Sequence, residues 1–584
     1  MTPEKLPIHP LTGLEYLWKL LRFSVDRHPV VLANFALAAV SVLLDLLAIA
    51  SVMPLTLAAT GKEISSDSAW IRPWDWTGVK PTLSAYLLFF AAAFTLRLIT
   101  QFLNQVTSIT TGKKIQADLS SGAFSRVVSD MSFREIDSRS AGYFISLAGD
   151  ETARAGAMMI SVNQLVATVL LSGVYFAALL YISSWLGIGV IAFLVIVMIT
   201  MRSSLARIQQ LSARQLTEAK AAHSVFLDAL NGLRSIRALS AESFVVSRYT
   251  EIIYRYTGTN ARLEILSFAS KVFPAIVLLV CASAVTAAGY LDFKDVSKIA
   301  LLVTAIACLL RFFPAAGQVL SLLIKLSSDL RAASDVTVLL EESGPAGFRH
   351  GKSPAGNVQL IQFSDVSFCY TASRPVLRRF NVKICAGKSY AIIGPSGSGK
   401  STVFDLLLGF YESDSGVILV NEIPVGELDS RMVRSKIALI SQQVAILNDS
   451  VANNIRFGST ATEEDIRKAC KAVCIDEYID SLEHGYETRL SFHGSNLSGG
   501  QRQRIAIARG LVRHPDVLLL DESTTGLDVD VRDRVVDNII DIFRTKIVIF
   551  STHDKDVIER VDEVIQLPGI VASPDIRTVS GKVV

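Results

Sequence analysis

The sequence predicts a multidomain chain, an all-α six-helix transmembrane domain followed by an α/β phosphate-loop domain. Three observations carry that prediction. Long apolar runs fill roughly the first 325 residues. After them, short β-rich runs alternate with amphipathic helical stretches. Between the two regions, Glu341-Glu342-Ser343-Gly344-Pro345 and Gly351-Lys352-Ser353-Pro354 read as a linker. The expected divisions are 1–328 for the membrane part, 329–356 for the linker and 357–584 for the α/β part.

Composition agrees with a membrane protein. The chain has 584 residues, 50% of them hydrophobic, and a mean hydropathy of +0.41. Its net charge of +3 is nearly balanced, which argues against a nucleic-acid partner. Cys470 and Cys474, four apart, read as thiols on one helix face; with no His beside them they do not read as metal ligands. The polar start Met1–Leu11 does not read as a cleavable signal.

A helix crossing lipid needs about 20 apolar residues. Six such spans are expected near Val30–Ala59, Leu83–Val106, Ala157–Ile182, Leu186–Met201, Leu266–Tyr290 and Val296–Ile324. Ser183-Ser184-Trp185 makes a tight hairpin between the third and fourth. Trp185 and the Trp70, Trp74 and Trp76 group suit the membrane interface. The long connections after the second and fourth spans are rich in Lys and Arg, which places them, and the chain start, in the cytoplasm.

Within the spans, Asp45 lies near mid-membrane, and Arg97, Lys271 and Arg311 lie nearer the inner leaflet. Gln101, Asn104, Asn163, Gln164 and Gln318 add polarity. Facing a central cavity, these residues would make its inner part basic and fit an anionic amphiphile. Snorkelling to headgroups or pairing of the cations with Asp45 is the competing expectation.

The second half carries the chemistry. Gly394-Pro395-Ser396-Gly397-Ser398-Gly399-Lys400-Ser401 fits the G-x-x-x-x-G-K-[ST] phosphate loop. Ala391-Ile392-Ile393 before it reads as a buried strand, and Thr402 onward as a helix. The glycines let backbone N–H groups face phosphate oxygens, and the helix start adds positive charge. Lys400 is expected to neutralise phosphate and Ser401 to ligate Mg²⁺. Val517-Leu518-Leu519-Leu520-Asp521-Glu522 is an apolar strand ending in two carboxylates, expected to lie beside the strand feeding the loop. Asp521 would hold Mg²⁺ and Glu522 would polarise water. Leu497-Ser498-Gly499-Gly500-Gln501, followed by Arg502-Gln503-Arg504, offers a second anion site at a helix start.

With these motifs in this order, almost the whole chain resembles an ABC transporter of the exporter type, with membrane and ATPase domains fused. The resemblance implies ATP as the nucleotide and Mg²⁺ as its metal. It implies that 497–501 bind the ATP held by the opposite subunit's phosphate loop. It implies that Tyr370 stacks on adenine, that Gln442 senses Mg²⁺ and the membrane domain, that Asp528 communicates between the sites and that His553 contacts the γ-phosphate. Glu522, His553 and Gln442 are thus the candidate catalytic residues; Ser401, Gln442 and Asp521 are the candidate metal residues.

Departures are Thr525-Gly526 where the family has Ser-Ala, Ser491-Phe492-His493-Gly494 where it has Gly-Glu-x-Gly, and the tail 579–584. Phe492 puts one contact with the membrane domain in question. Phe133–Gly142 and Asp228–Ile236 resemble the family's two coupling segments.

One loop and one signature per chain require a dimer, with a homodimer as the economical expectation and a heterodimer as the alternative. The resemblance implies ATP-driven export or flipping at a bacterial cytoplasmic membrane, with the ATPase domain in the cytoplasm. A lipid-linked saccharide, glycolipid or peptide fits the polar spans; a multidrug exporter and an ATP-gated channel are the other classes on this scaffold. With no peptidase domain expected before the first span, a leader-cleaving peptide exporter is disfavoured.

Overall fold

The computed structural model describes residues 10–51, 55, 82–182, 184–287, 296–341, 356–371, 374–491, 494–568 and 578–579. These form two compact units, Met1–Val128 with Ser138–Ser343, and Ser129–Asp137 with Gly344–Val584.

The first unit is helical. Its principal helices are Pro10–Arg27, Val30–Ala50, Leu83–Ser125, Thr152–Ile182, Ser184–Asn231, Glu242–Ala287 and Val296–Glu341. Among the described residues, four stretches are long and apolar enough to cross a membrane: Val30–Ile49, Leu83–Asp130, Ala141–Tyr181 and Thr304–Leu330. The other two expected spans fall on Ser184–Asn231 and Glu242–Ala287, where most apolar side chains lie outside the described residues. A 48-residue helix such as Ser184–Asn231 runs about 72 Å at 1.5 Å per residue, more than twice the hydrocarbon thickness. The basic connections therefore continue the spans as helix instead of starting new elements.

The helices Leu83–Ser125 and Thr152–Ile182 approach at glycines. A Cβ on Gly156 would lie 2.8 Å from the Gly112 carbonyl oxygen, and one on Gly112 would lie 2.5 Å from Ile160 Cγ1. With no Cβ on either glycine, the two helix backbones can approach this closely. Polar pairs add to it: Asn163 donates to Asn104 Oδ1 at 3.1 Å and Gln164 to Gln105 Oε1 at 3.4 Å.

Of the two expectations for Arg97, facing a cavity or pairing with Asp45, the structure shows the pairing. Arg97 Nε lies 2.6 Å from Asp45 Oδ1, and the Tyr175 hydroxyl donates to the same carboxylate. Asp45 is 1% exposed and Arg97 9%. A cation in hydrocarbon is costly unless paired, so the pair forms across three helices beside Phe312 and Leu179. Arg311, half-buried, interacts electrostatically with Tyr175 and forms no ion pair among the described residues. Trp70, Trp74, Trp76 and the side chains of Trp185 and Lys271 lie outside the described residues.

The second unit is α/β. Its strands are β1 (Leu360–Thr371), β2 (Arg374–Cys385), β3 (Lys388–Ile393), β4 (Ser415–Val420), β5 (Ile423–Pro424), β6 (Ile437–Ile440), β7 (Val517–Asp521), β8 (Ile547–Ser551), β9 (Glu563–Gln566) and β10 (Thr578–Val579). One sheet runs β2-β1-β4-β5 and the other β10-β9-β3-β8-β7-β6.

The expectation that β7 lies beside β3 is corrected. β8 pairs in parallel with both, Ile549 aligning with Tyr390 on one side and Leu519 on the other. Alternation along these strands explains their all-apolar composition. Val517, Leu519, Ile547 and Ile549 pack into a core with Phe404 and Leu407. Leu518, Leu520, Val548 and Phe550 pack into the other core with Ile505 and Val535.

The shared face of Cys470 and Cys474 is also corrected. Helix Glu463–Ala472 ends before Cys474, whose φ of 55° turns the chain out of the helix. Cys470 is buried. Among the described residues no group of His, Cys, Asp and Glu forms a metal cluster.

Truncating one partner of a buried ion pair costs about 3–5 kcal/mol, and removing both costs much less. Arg97→Ala should therefore lower the thermal unfolding midpoint in nanodiscs, and Arg97→Ala with Asp45→Ala should recover most of the loss. Equal midpoints for the single and double variants would show that the pair carries no coupling.

Candidate nucleotide site

β3 delivers the chain to a loop that only glycine can complete. Gly397 and Gly399 have φ of 80° and 98°. A Cβ on Gly399 would meet Val376 Cγ1 at 2.9 Å. Gly399 is the N-cap of the helix Lys400–Leu407, so amides at the helix start face the loop's concavity. Ser398 Oγ is buried without a hydrogen-bond partner. Positive-φ glycines, a helix start and an unsatisfied hydroxyl fit a polyphosphate.

Lys400 is 6% exposed. Its ammonium donates to the carbonyls of Gly394 at 3.0 Å and Pro395 at 3.4 Å. It also lies 2.9 Å from His553 Nε2. An ammonium can only donate, so Nε2 accepts and the His553 proton sits on Nδ1.

Glu522 faces the same place. Its Oε1 is 3.8 Å from both Lys400 Nζ and His553 Nε2, and its Oε2 accepts from Gln442 Nε2 at 2.9 Å. The insertion of β8 explains this convergence, because β8 leads through Ser551 and Thr552 to His553, between the loop and Glu522. Glu522 itself has φ of 48°, a left-handed conformation costing about 1 kcal/mol or more in a non-glycine residue. Its amide donates to the Ser551 carbonyl at 3.0 Å, and Thr525 Oγ1 donates to the Glu522 carbonyl at 2.8 Å. Asp521 ends β7 half-buried; Ser401 and Gln442 are exposed.

The second anion motif is built separately. Ser498 caps the helix Gly499–Leu511, accepting from Gln501 N at 3.2 Å while Gln501 Oε1 accepts from Ser498 N at 2.8 Å. That capping box leaves the Gly499 and Gly500 amides for a ligand. Leu497 is buried in the core, so only its backbone is presented. Gly500 packs against Gly526, where a Cβ would be 2.9 Å from the Gly526 carbonyl oxygen, and Gly526 N donates to Gln503 at 3.2 Å. Asp528, exposed, starts the helix Val529–Ile542. Among the described residues, no hydrogen bond or ion pair joins residues 394–402 to 497–501.

Tyr370 extends the site sideways. Its hydroxyl is 3.1 Å from Thr402 Oγ1 and donates to Asp405 at 3.4 Å. Its ring meets Phe368 and Tyr411 edge-on, at 4.9 and 5.2 Å. Burial pushes the Asp405 carboxyl up to about 6. Tyr411 donates to Asp137, and burial, then Asp137, push its phenol above the usual range. Phe133 packs at 4.5 Å on Phe410. The helix Phe133–Asp137 thus sits within the second unit. The other segment folds as Gly232 and the exposed helix Leu233–Ala238 in the first unit. Phe492 lies outside the described residues.

Two family models match the chain, ABC transporter over residues 377–525 and ABC transporter transmembrane region over residues 35–313. An ATP-dependent lipid A-core flippase of Dechloromonas aromatica (strain RCB) is 30% identical over 510 residues, covering 85% of this chain and 84% of that protein. The chain belongs to the ABC transporters. It is a membrane-embedded ATPase of the exporter type, driving export or flipping with ATP. ABC transporter B family member 14 of Arabidopsis thaliana is 37% identical over 211 residues, 35% of this chain and 17% of that one. The solved structure of a bacterial Atm1-family ABC exporter with ATP bound shares the fold, with a TM-score of 0.77 over 93% of each chain at 22% identity.

Within this ABC transporter, sequence reasoning missed Asp405, Phe410 and Tyr411. Gly409-Phe410-Tyr411 after the loop helix was the available signal, and it reads as ordinary core.

A carboxyl raised by folding costs stability as it ionises. The cost is absent below the unfolded value near 3.8 and complete above the folded value of about 6. Asp405→Asn should stabilise by about 1 kcal/mol at neutral pH, since the group is only partly buried. Thermal unfolding between about pH 4.5 and pH 8 should show the gain growing up to about pH 6 and then levelling. A gain independent of pH would exclude the ionisation as its source.

Proposed function

We propose that two copies of this ABC exporter hydrolyse ATP at sites shared between them and thereby flip an anionic amphiphile across a bacterial inner membrane. The observation that carries the hydrolytic reading is the convergence of Lys400, Gln442, Glu522 and His553. Loop amides and Lys400 bind the β- and γ-phosphates. Ser401, Gln442 and Asp521 would hold Mg²⁺, which when bound would supply positive charge to the phosphates. Glu522 takes the proton of the attacking water, oriented by its bond to Gln442. His553 faces the γ-phosphate beside Lys400, and Tyr370 offers its exposed ring to adenine.

The separation of 394–402 from 497–501 within one chain supports a dimer in which each copy's Ser498–Gly500 amides complete the other's site. Asp528, beside the signature through Gly526, then lies near both sites. Phe133–Asp137, against Phe410 and Tyr411, carries closure toward the membrane helices.

The substrate reading rests on the lipid A-core flippases among the relatives and on Arg311. With Arg97 neutralised by Asp45, Arg311, well inside the apolar span Thr304–Leu330, is a described cation available to an anionic headgroup.

Glu522→Gln should keep ATP binding and lower ATP turnover by about 10²- to 10³-fold, the scale of a general base. Steady-state phosphate release from nanodiscs measures it; near-normal turnover would overturn the assigned base. Arg311→Gln should abolish ATPase stimulation by an anionic glycolipid while leaving basal turnover within twofold. Full stimulation in that variant would remove Arg311 from the substrate path.

A further inference from the structure

One buried cation away from the phosphate loop ties two of the site's segments together. Arg532 lies one turn into the helix that starts after Asp528, and it is 7% exposed. Its guanidinium donates from Nε and Nη2 to Asp533 Oδ1 at 3.0 and 2.9 Å. Nη1 donates to Asp554 and Nη2 to Asp556.

Asp554 is the residue after His553. It caps the helix Lys555–Arg560, its Oδ1 accepting from Asp556 N at 3.0 Å. Its own amide donates to Thr552 Oγ1 at 3.0 Å. The two carboxylate oxygens of Asp554 therefore have separate tasks, one in the cap and one on Arg532. At the far end, Arg560 returns to Asp537 at 2.7 Å and Asp533 at 2.9 Å.

We propose that Arg532 is a positioning residue for ATP hydrolysis, holding His553 in register with the Asp528 segment so that the two move as one body. The inference rests on the roles given above to His553 and Asp528. A guanidinium fits because its fixed fork of N–H donors meets several carboxylates at set angles. Lysine would keep the charge and lose the angles. Three carboxylates around one cation hold the fork from more than one side, so the segment before Asp554 has little freedom to rotate. His553, one residue away, inherits that restraint and stays beside Lys400. The Gly526 contact with the signature helix extends the same body toward the site a partner copy would complete.

The test uses the full-length transporter in nanodiscs and single-turnover ATP cleavage. Arg532→Lys and Asp554→Asn should each lower the cleavage rate about tenfold, the effect of a displacement near 1 Å, with ATP affinity within twofold. Combined, they should lower it little further, because both break one contact. In a His553→Ala background, Arg532→Lys should have no added effect. Wild-type cleavage rates in both single variants, with only a lower unfolding midpoint, would make Arg532 a structural clamp and overturn the proposal. Additive losses with His553→Ala would overturn it as well. If His553→Ala alone cleaves ATP normally, the role of His553 falls and this inference falls with it.

Discussion

The site depends on parallel pairing of β3, β8 and β7. Parallel hydrogen bonding fixes where three strands end, and it ends them at one edge of one sheet. From that edge leave the phosphate loop, the segment carrying His553 and the turn at Glu522. None of these side chains could meet if β8 lay elsewhere in the order. The two cores hold the register, because a one-residue slip would send Leu519 and Ile549 to the wrong face. Apolar packing on both sides therefore sets the distances between polar groups at the edge. The left-handed Glu522 is tolerated for the same reason, since its amide is held by the β8 carbonyl of Ser551.

Much of this was legible in the sequence, unevenly. Gly394–Ser401 and Leu497–Gln501 are local motifs whose function follows from backbone torsion and helix starts, so spacing reveals them. The strand ending in Asp521-Glu522 was equally clear. Strand order was not, because Val517–Asp521 and Ile547–Ser551 are similarly apolar and nothing in either records its neighbour. Cys474 failed for a local reason, a left-handed exit that a four-residue spacing cannot show. Tyr411, Asp405 and Arg532 act through partners far away in sequence. A lone Tyr, Asp or Arg carries no periodic signal of such contacts.

The membrane unit teaches the same lesson about charge. From the sequence, Asp45 and Arg97 read either as cavity-facing groups or as partners of one another. Placed 2.6 Å apart with Tyr175 on the carboxylate, they form a crosslink between helices and cancel each other. Asn104 with Asn163 and Gln105 with Gln164 follow the same pattern. Among the described residues these pairs turn polar groups toward one another, and Arg311 is set apart because it joins none of them.

Phe133–Asp137 belongs with residues more than two hundred positions away and not with its neighbours along the membrane helices. The covalent order and the mechanical order of the chain therefore differ. A fragment cut at the linker would uncover the Phe133-facing side of Phe410 and leave the Tyr411 hydroxyl without its Asp137 acceptor. It would expose an aromatic patch beside Tyr370, inviting self-association. Nucleotide affinities measured on such a fragment would describe a surface that the intact transporter covers.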